Sequence, residues 1–150
     1  MSARFRRRVI SRLVLALLVL TLSMSASAAF AQAPSGDIEK ARNEANEWLS
    51  LIDKGDYRES WIRAASLFRD RVSMDQWEEQ VGGVRDSLGT LVSRKFKTAT
   101  FATTLPGAPD GKYVVLQYDT SFAHKKSAVE TVTPMMDKDG QWRVSGYYIR

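Results

Sequence analysis

The fold of this chain is decided by the stretch KYVVLQYDTSFAHKKSAVETVTPMMDKDGQWRVSGYYIR, residues 112–150. Residues 113–122 alternate between two faces with the period of two that is typical of a β-strand. Residues 129–136 are rich in β-branched side chains, and residues 141–149 form a further strand candidate. A polar connection separates the first two runs, and the turn-forming residues 137–140 separate the last two. The stretch therefore predicts a three-stranded antiparallel meander.

The faces of this meander follow from the parity of its residues if each connection spans an even number of residues. The more apolar face, predicted to meet helices, carries Val114, Leu116, Tyr118, Thr120, Phe122, Val129, Thr131, Thr133, Met135, Trp142, Val144, Gly146 and Tyr148. The opposite face carries Tyr113, Val115, Gln117, Asp119, Ser121, Ala128, Glu130, Val132, Pro134, Met136, Arg143, Ser145, Tyr147 and Ile149. A connection of odd length reverses the assignment, because side chains alternate with period two.

Three helices are predicted before the sheet. The first is capped by Asp37 and ends before Gly55, and apolar residues recur along it at helical spacing. The second covers residues 57–68. The third begins at a capping box over residues 73–76 and ends at Gly89. Its predicted apolar face carries Trp77, Val81, Val84 and Leu88.

A fourth strand is predicted over residues 90–103, with a bulge near Arg94-Lys95 because its alternation is imperfect. The connection 105–111 is rich in proline and glycine. Helices followed by strands indicate an α+β domain. We predict one domain over residues 37–150, with three N-terminal helices packed on a curved four-stranded antiparallel sheet.

The N-terminus has the pattern of a secretory signal peptide over residues 1–31. An arginine-rich segment precedes the apolar run 13–22, which is too short for a bilayer that needs about 20 residues. Cleavage is predicted between Ala31 and Gln32, three residues after an alternative site, and residues 32–36 form a disordered leader. The mature protein is predicted to be periplasmic or secreted, without a stable membrane anchor. The route, general secretory or twin-arginine, stays open.

Charge gives no argument for nucleic acid. Five of the 22 basic residues lie in residues 1–31 and none of the 17 acidic residues does, so the remaining chain is formally neutral. The chain has no cysteine, so stability depends on one hydrophobic core. One histidine and no cysteine make a structural metal site improbable, and no cofactor is predicted.

Four segments of the chain form a further pattern: WLSLIDKGDYRESW (48–61), LPGAPDGKYVVLQY (105–118), FAHKKSAVETVT (122–133) and DGQWRVSGYYIR (139–150). In this order they resemble a known family of exported bacterial proteins, the domain of unknown function 4019. The last segment also resembles the closing strand of nuclear-transport-factor-2-like domains, which are cone-shaped, of the cystatin-like kind, and often hold a pocket. The resemblance implies a fold and an exported location, but no catalytic residues.

Glu130 is the weak catalytic candidate, because a carboxylate is unusual in the middle of an apolar strand. The favoured interpretation is a cross-strand ion pair on an exposed face shared with Arg143. A register slip would turn Glu130 inward and make it the best catalytic candidate. Asp56 is interpreted as a helix cap with Asp53 solvated, and His124 as a solvated turn residue.

Two further sets of residues are predicted to bind. Hydroxyls on apolar walls suit a small amphipathic ligand, and the pocket candidates are Tyr118, Thr120, Thr131, Thr133, Tyr148 and Trp142. The outer face offers an apolar patch for a partner, with the interface candidates Tyr113, Val115, Val132, Met136, Arg143, Tyr147 and Ile149.

These observations predict an exported, non-enzymatic domain that binds a small ligand or a protein partner. The alternatives are a small isomerase or hydratase with a buried carboxylate, and a structural homodimer joined through the outer sheet face.

Overall fold

A computed structural model describes residues 35–150 of the chain. The predicted signal peptide, its cleavage between Ala31 and Gln32, and leader residues 32–34 lie outside the described residues. The described part is an α+β unit with helices first and an open four-stranded antiparallel sheet after them. The elements are α1 Ser35–Lys54, α2 Tyr57–Arg63, α3 Ser66–Arg69, α4 Met74–Leu88, β1 Leu91–Ala102, β2 Tyr113–Phe122, β3 Lys125–Met136 and β4 Trp142–Ile149. No helix within this part combines the length and the apolar character needed to cross a membrane.

The first helix ends where the sequence predicts but begins earlier. Gly55 follows it with φ of 80°, a backbone conformation that favours glycine. At the other end, helix α1 begins at Ser35, so the last two residues of the predicted leader are helical. Its buried stripe packs into the core and consists of Ala41, Ala45, Trp48, Leu49 and Ile52.

The predicted second helix is broken, and the domain therefore has four helices within residues 35–150. Ala64 and Ala65 have extended ψ angles of 160° and 151°, and both are fully buried. The N–H of Ala65 donates to the carbonyl of Val144 at 2.8 Å. A tertiary contact with β4 thus replaces a helical hydrogen bond, and local helix propensity does not reveal it.

The fourth helix begins at the predicted capping box. Ser73 Oγ accepts from the N–H of Gln76, and the Gln76 side chain accepts from the N–H of Ser73. Gly89 ends the helix with φ of 76°. Both signals are local, which is why the sequence shows them.

The sheet is a meander in the order β1-β2-β3-β4, with all neighbours antiparallel. Strand β1 has two irregularities, one between Leu91 and Ser93 and one between Phe96 and Thr98. These positions lie on either side of the predicted bulge at Arg94-Lys95, which is not irregular.

The predicted face assignment is wrong for β3. Phe122 pairs with Lys125, whereas Thr120 pairs with Ala128, so β3 gains one residue over β2 at a bulge. This extra residue reverses the parity of the rest of β3. The strand turns Ala128, Glu130, Val132 and Pro134 toward the helices, in place of Val129, Thr131, Thr133 and Met135.

A second bulge divides β4: the predicted face is right for Trp142 and Val144, which precede it, and wrong for the residues that follow it. Thr133 pairs with Gly146 but Pro134 pairs with Val144, which leaves Ser145 as the extra residue. Beyond this bulge Tyr147 faces the helices and Tyr148 faces away, the reverse of the prediction. The principal core lies between the helices and this inner face.

Candidate functional site

The most unusual feature of the inner face is a cluster of four charged side chains, of which Glu130 and Arg85 are buried and Arg94 and Asp53 are partly exposed. Glu130 from β3 is fully buried, and Arg94 from β1 contacts it across the intervening strand β2. Asp53 at the end of α1 accepts hydrogen bonds from Arg94 at 2.7 and 3.0 Å and from Arg85 of α4 at 3.0 Å. Two carboxylates therefore balance two guanidinium groups, and the cluster ties both long helices to the sheet.

The Glu130 carboxylate has a full set of hydrogen-bond donors. Oε2 accepts from Arg94 Nε at 2.5 Å and from Thr120 Oγ1 at 2.8 Å. Oε1 accepts from Arg94 Nη2 at 3.1 Å and from the Tyr147 hydroxyl at 2.6 Å. A carboxylate offers about four lone-pair sites. No site is left for a substrate proton, so these contacts fit an anchoring role.

The shifts in pKa follow from this burial and charge. Burial, and then the charge and hydrogen bond of Glu130, raise the pKa of Tyr147 well above its ordinary value of 10.0. Burial lowers the pKa of Arg94, but the hydrogen bonds and charges of Asp53 and Glu130 outweigh this and raise it. Both groups therefore keep their protons over the physiological range.

Arg85 completes the cluster and leaves one donor unused. Its ring-stacking contact places the guanidinium carbon 4.9 Å from the centre of Phe122. Its Nη1 lies 3.8 Å from Glu130 Oε1 and makes no hydrogen bond within residues 35–150. The sequence prediction missed Arg85 by placing Val84 on the buried face. The spacing of Trp77, Val81 and Arg85 at intervals of four could have identified it.

The interpretation of the acidic and histidine candidates changes accordingly. Glu130 is inward and does not pair with Arg143, which binds Asp139 at 2.7 Å instead. Asp53 is paired with Arg85 and Arg94, although 23% of its side chain is exposed, and Asp56 makes no side-chain cap hydrogen bond. His124 is exposed, as the turn interpretation predicts.

The structure does not bring the six pocket candidates together. Tyr118 and Thr120 are buried on the inner face, where Tyr118 donates to the Asn46 side chain at 3.1 Å. Trp142 is buried near the opposite end of the sheet. The bulges turn the others outward, namely Thr131, Thr133 and Tyr148. A tyrosine-threonine wall is therefore not assembled.

The structure also separates the seven interface candidates, because some of them lie in the core and not on the outer face. Tyr147 packs against Trp48 and Trp77, and Val132 is fully buried in the core. Tyr113 is buried in a second, smaller cluster beside Met135. The four that remain are partly buried and do not make one continuous outer patch: Val115, Met136, Arg143 and Ile149.

A charged groove of about 560 Å³ lies between α2–α3 and the β3–β4 turn. Its walls mix cations and carboxylates and include Glu44, Arg63, Arg69, Asp137, Lys138, Asp139, Trp142 and Arg143. The buried Nε1 of Trp142 has no acceptor within the described residues. No group of three or more metal-ligating side chains is present in residues 35–150.

The outer edge of β4 is a second accessible feature. Arg150 and Val129 exchange both main-chain hydrogen bonds. Main-chain direction alternates along a strand, so the N–H and C=O groups of Tyr148 and Gly146 also point toward β3. The N–H and C=O groups of Tyr147 and Ile149 consequently point away from the sheet. No strand within residues 35–150 pairs with them.

An apolar groove of about 210 Å³ runs beside this edge. It is bounded by α4 and the end of β4 and lined by Trp77, Gln80, Val81, Val84, Tyr147, Tyr148 and Ile149. Val84 is 46% exposed and Tyr148 63% exposed, which is high for large apolar side chains. The edge of β4 near Val144 is covered, because the Val144 carbonyl already accepts a hydrogen bond from the N–H of Ala65. The free part of the edge is therefore residues 146–149.

One comparison with known proteins gives a match. A family model described as protein of unknown function (DUF4019) matches residues 44–147, which includes the charged cluster and half of the free edge. Among curated proteins, none matches the chain.

Proposed function

This chain belongs to the DUF4019 family of proteins of unknown function, and from that premise we propose that it is an exported, non-enzymatic protein-interaction domain. Its binding element is the free edge of β4, to which an extended segment of a partner adds as a further strand. The observation that carries this proposal is a pair of main-chain positions, Tyr147 and Ile149, that no strand of residues 35–150 pairs with and that lie beside an apolar groove.

The two edges of the sheet support the choice of β4. Strand β1 carries Lys95 and Lys97 and two irregularities, features that discourage edge pairing. Residues 146–149 of β4, Gly-Tyr-Tyr-Ile, have neither a charge nor a proline. An added strand would gain main-chain hydrogen bonds at β4, and alternate side chains would enter the groove beside Val84.

The contacts of Glu130 do not favour the enzymatic alternative. A general base must reach the proton that it abstracts. Glu130 has no exposed surface, and all four of its acceptor positions are engaged within the protein. An isomerase or hydratase would need this cluster to come apart at each turnover.

Export is part of the proposal and is supported by the N-terminal pattern alone. Five arginines precede an apolar run of signal-peptide length, and small residues then lead to Ala31. The mass of the protein recovered from the cell envelope tests this. Cleavage after Ala31 supports export, and an intact N-terminus in the cytoplasm contradicts it.

The proposed finer fold is that of the nuclear-transport-factor-2-like domains. The order of helices before a four-stranded meander and the closing Asp-Gly-Gln-Trp motif at residues 139–142 support it. Function does not follow from this likeness, because one fold serves many functions.

A peptide selection tests strand addition. Random peptides displayed on phage are selected on the purified protein and then measured against Ile149→Pro. Proline at this position removes an outward N–H and leaves the β3–β4 ladder intact. Selected peptides should lose at least about tenfold in affinity, equivalent to about 1.4 kcal/mol.

The matched control is Ala99→Pro on the other edge strand, β1, because alternation points the Ala99 N–H away from β2 as well. Peptides that bind at β4 should tolerate this change, and amide shifts in the NMR spectrum should lie at residues 146–149. Selected peptides that are equally insensitive to both prolines would contradict strand addition.

A second candidate function is binding of a small polar ligand in the charged groove. The observation that favours it is the buried Nε1 of Trp142, since a buried donor usually has an acceptor. Native mass spectrometry of the protein, purified gently as cells produce it, tests for a bound molecule. An adduct that Trp142→Phe removes would support this candidate, and its persistence in that variant would oppose it.

A further inference from the structure

We infer that the strand added at β4 is β4 of a second copy of this chain, in a symmetric dimer whose two-fold axis passes between the two Tyr148 residues. This inference rests on the proposed strand addition and names the partner. It differs from a dimer through the outer sheet face, because the two sheets would join edge to edge into one sheet of eight strands.

The main-chain groups of β4 are self-complementary in this register. An axis at Tyr148 places Tyr147 opposite Ile149 of the second copy, and Ile149 opposite its Tyr147. Residues that are directly opposite in an antiparallel pair exchange both N–H and C=O bonds. The outward groups of both residues are then satisfied, and four hydrogen bonds form across the axis.

The bulge in β4 excludes the neighbouring symmetric register. An axis at Tyr147 would place Ile149 opposite Ser145, which is the extra residue of the bulge. The edge beyond it is occupied by the hydrogen bond from Ala65 to Val144. The axis at Tyr148 uses only residues 146–150, which avoid both obstacles.

The exposed side chains match this arrangement. Tyr148 is 63% exposed, and at the axis it would face its own copy in the close, non-hydrogen-bonded type of pair. Two aromatic rings would then cover each other. Arg150 would lie opposite Gly146 of the second copy, so no like charges meet.

Helix α4 presents an uncharged flank to the same region. A two-fold axis perpendicular to the joined sheet keeps the helices of both copies on one face, with the two α4 helices adjacent. The exposed residues on that flank are Gln80, Gly83, Val84 and Ser87, at helical spacing. Glu79 and Asp86 lie elsewhere around the helix. None of the four flank residues therefore carries a charge that would oppose the second copy.

A single cysteine reports the register directly, because the natural chain has none. Opposite residues of the close pair have Cα atoms about 4.5 Å apart, within the range that a disulfide spans. Tyr148→Cys should therefore give mostly cross-linked dimer on mild oxidation. In Gly146→Cys the two positions would be displaced by four residues, about 13 Å, and should not cross-link. Thr98→Cys controls for random collision.

Sedimentation of the purified protein then tests the interface without a cross-link. We expect a dimer at high micromolar concentration, weakened by about tenfold or more in Tyr148→Lys, which opposes two cations at the axis. Thr98→Lys adds the same charge on β1 and should remain a dimer. Because Tyr148 is exposed, Tyr148→Lys should fold normally, and it still tests the interface if Ile149→Pro fails to fold.

The outcomes separate this inference from the proposed function. A protein that is monomeric throughout, with no cross-link through Tyr148→Cys, overturns the dimer. If selected peptides still discriminate against Ile149→Pro, strand addition at β4 stands with another partner. A dimer that is unaffected by Tyr148→Lys also overturns the inference, since its interface lies elsewhere.

Discussion

Arg94 and Glu130 are joined by two hydrogen bonds, of 2.5 and 3.1 Å, although they lie on strands that are not neighbours. The Arg94 side chain spans β2 on the inner face, and Thr120 of that strand donates to the same carboxylate. A bidentate pair of this kind is both strong and directional. It fixes the relative positions of three strands and, through Asp53, of the first helix.

Glu130→Gln should lower the free energy of unfolding by about 3–5 kcal/mol, because it leaves buried guanidinium groups with one counter-charge. The amide also offers two donors where the carboxylate accepted hydrogen bonds from Arg94 and Tyr147. Urea denaturation measures the change.

The matched control is Asp119→Asn on β2. Its ion pair with Lys97 is short, at 2.8 Å, but the two side chains are 57% and 44% exposed. Exposed pairs contribute about 0–1 kcal/mol. Equal losses in the two variants would contradict the view that burial gives the cluster its effect.

The parts of the fold that local chemistry determines were predictable. The capping box at Ser73 and the glycines after α1 and α4 act within one helical turn. The order of β2, β3 and β4 follows from the short connections between them, residues 123–124 and 137–141. These signals were enough to give the α+β class and the antiparallel sheet.

The faces of β3 and β4 were not predictable, because neither bulge has a sequence signal. One residue added near Lys126 reverses the parity that assigns Glu130 to the exterior. The break at Ala65 depends on a hydrogen bond to Val144, 79 positions along the chain. The candidate site therefore differed from expectation where tertiary contacts decide the geometry.

Ser60→Ala should destabilise the protein by about 1–3 kcal/mol, because it leaves the buried N–H of the Trp77 side chain without an acceptor. Ser60 Oγ accepts from Trp77 Nε1 at 2.9 Å, and the Ser60 carbonyl accepts from Trp48 at 2.8 Å. Thermal or urea unfolding measures the loss. The control is Ser50→Ala. The hydroxyls of Ser60 and Ser50 each donate to the carbonyl three residues earlier, but Ser50 lies on an exposed surface. We expect little change there, and a comparable loss at Ser50 would refute the role of the tryptophan.

Asp137 should give the protein an acid-dependent stability. Burial raises its pKa, but the hydrogen bonds from Ser66 and Lys138 and the charge of Arg143 outweigh this and lower it. A carboxylate with a depressed folded pKa contributes stability above its unfolded pKa of about 3.8, and that stability is lost as the pH falls through the folded pKa. Asp137→Asn should therefore be less stable at neutral pH and should lose less stability on acidification.

Asp139→Asn is the comparison for this acid effect. Hydrogen bonds from Arg143 lower the pKa of Asp139 to about 2, but its side chain is exposed. We expect a smaller change in stability at neutral pH than for Asp137→Asn. Unfolding curves of wild type and both variants, recorded between neutral and strongly acidic pH, show which carboxylate gives the protein its acid-dependent stability. Parallel curves for wild type and Asp137→Asn would contradict the assignment.

Gly83 lies within α4 and Gly89 follows its end, and replacing each by alanine should change the stability of the protein in opposite directions. Gly83 lies within the helix, and a Cβ there would meet nothing within 4 Å. Alanine has a higher helix propensity and restricts the unfolded chain, so Gly83→Ala should stabilise the protein by about 0.5–1 kcal/mol.

Gly89→Ala should instead destabilise it by about 1 kcal/mol or more. Gly89 has φ of 76°, and an added Cβ would lie 3.1 Å from Ala123 Cβ and from the His124 ring. Backbone strain and crowding therefore act together at the point where α4 meets the β2–β3 turn. Melting temperatures of the two variants give the comparison. A stabilised Gly89→Ala protein would show that the helix ends differently in solution.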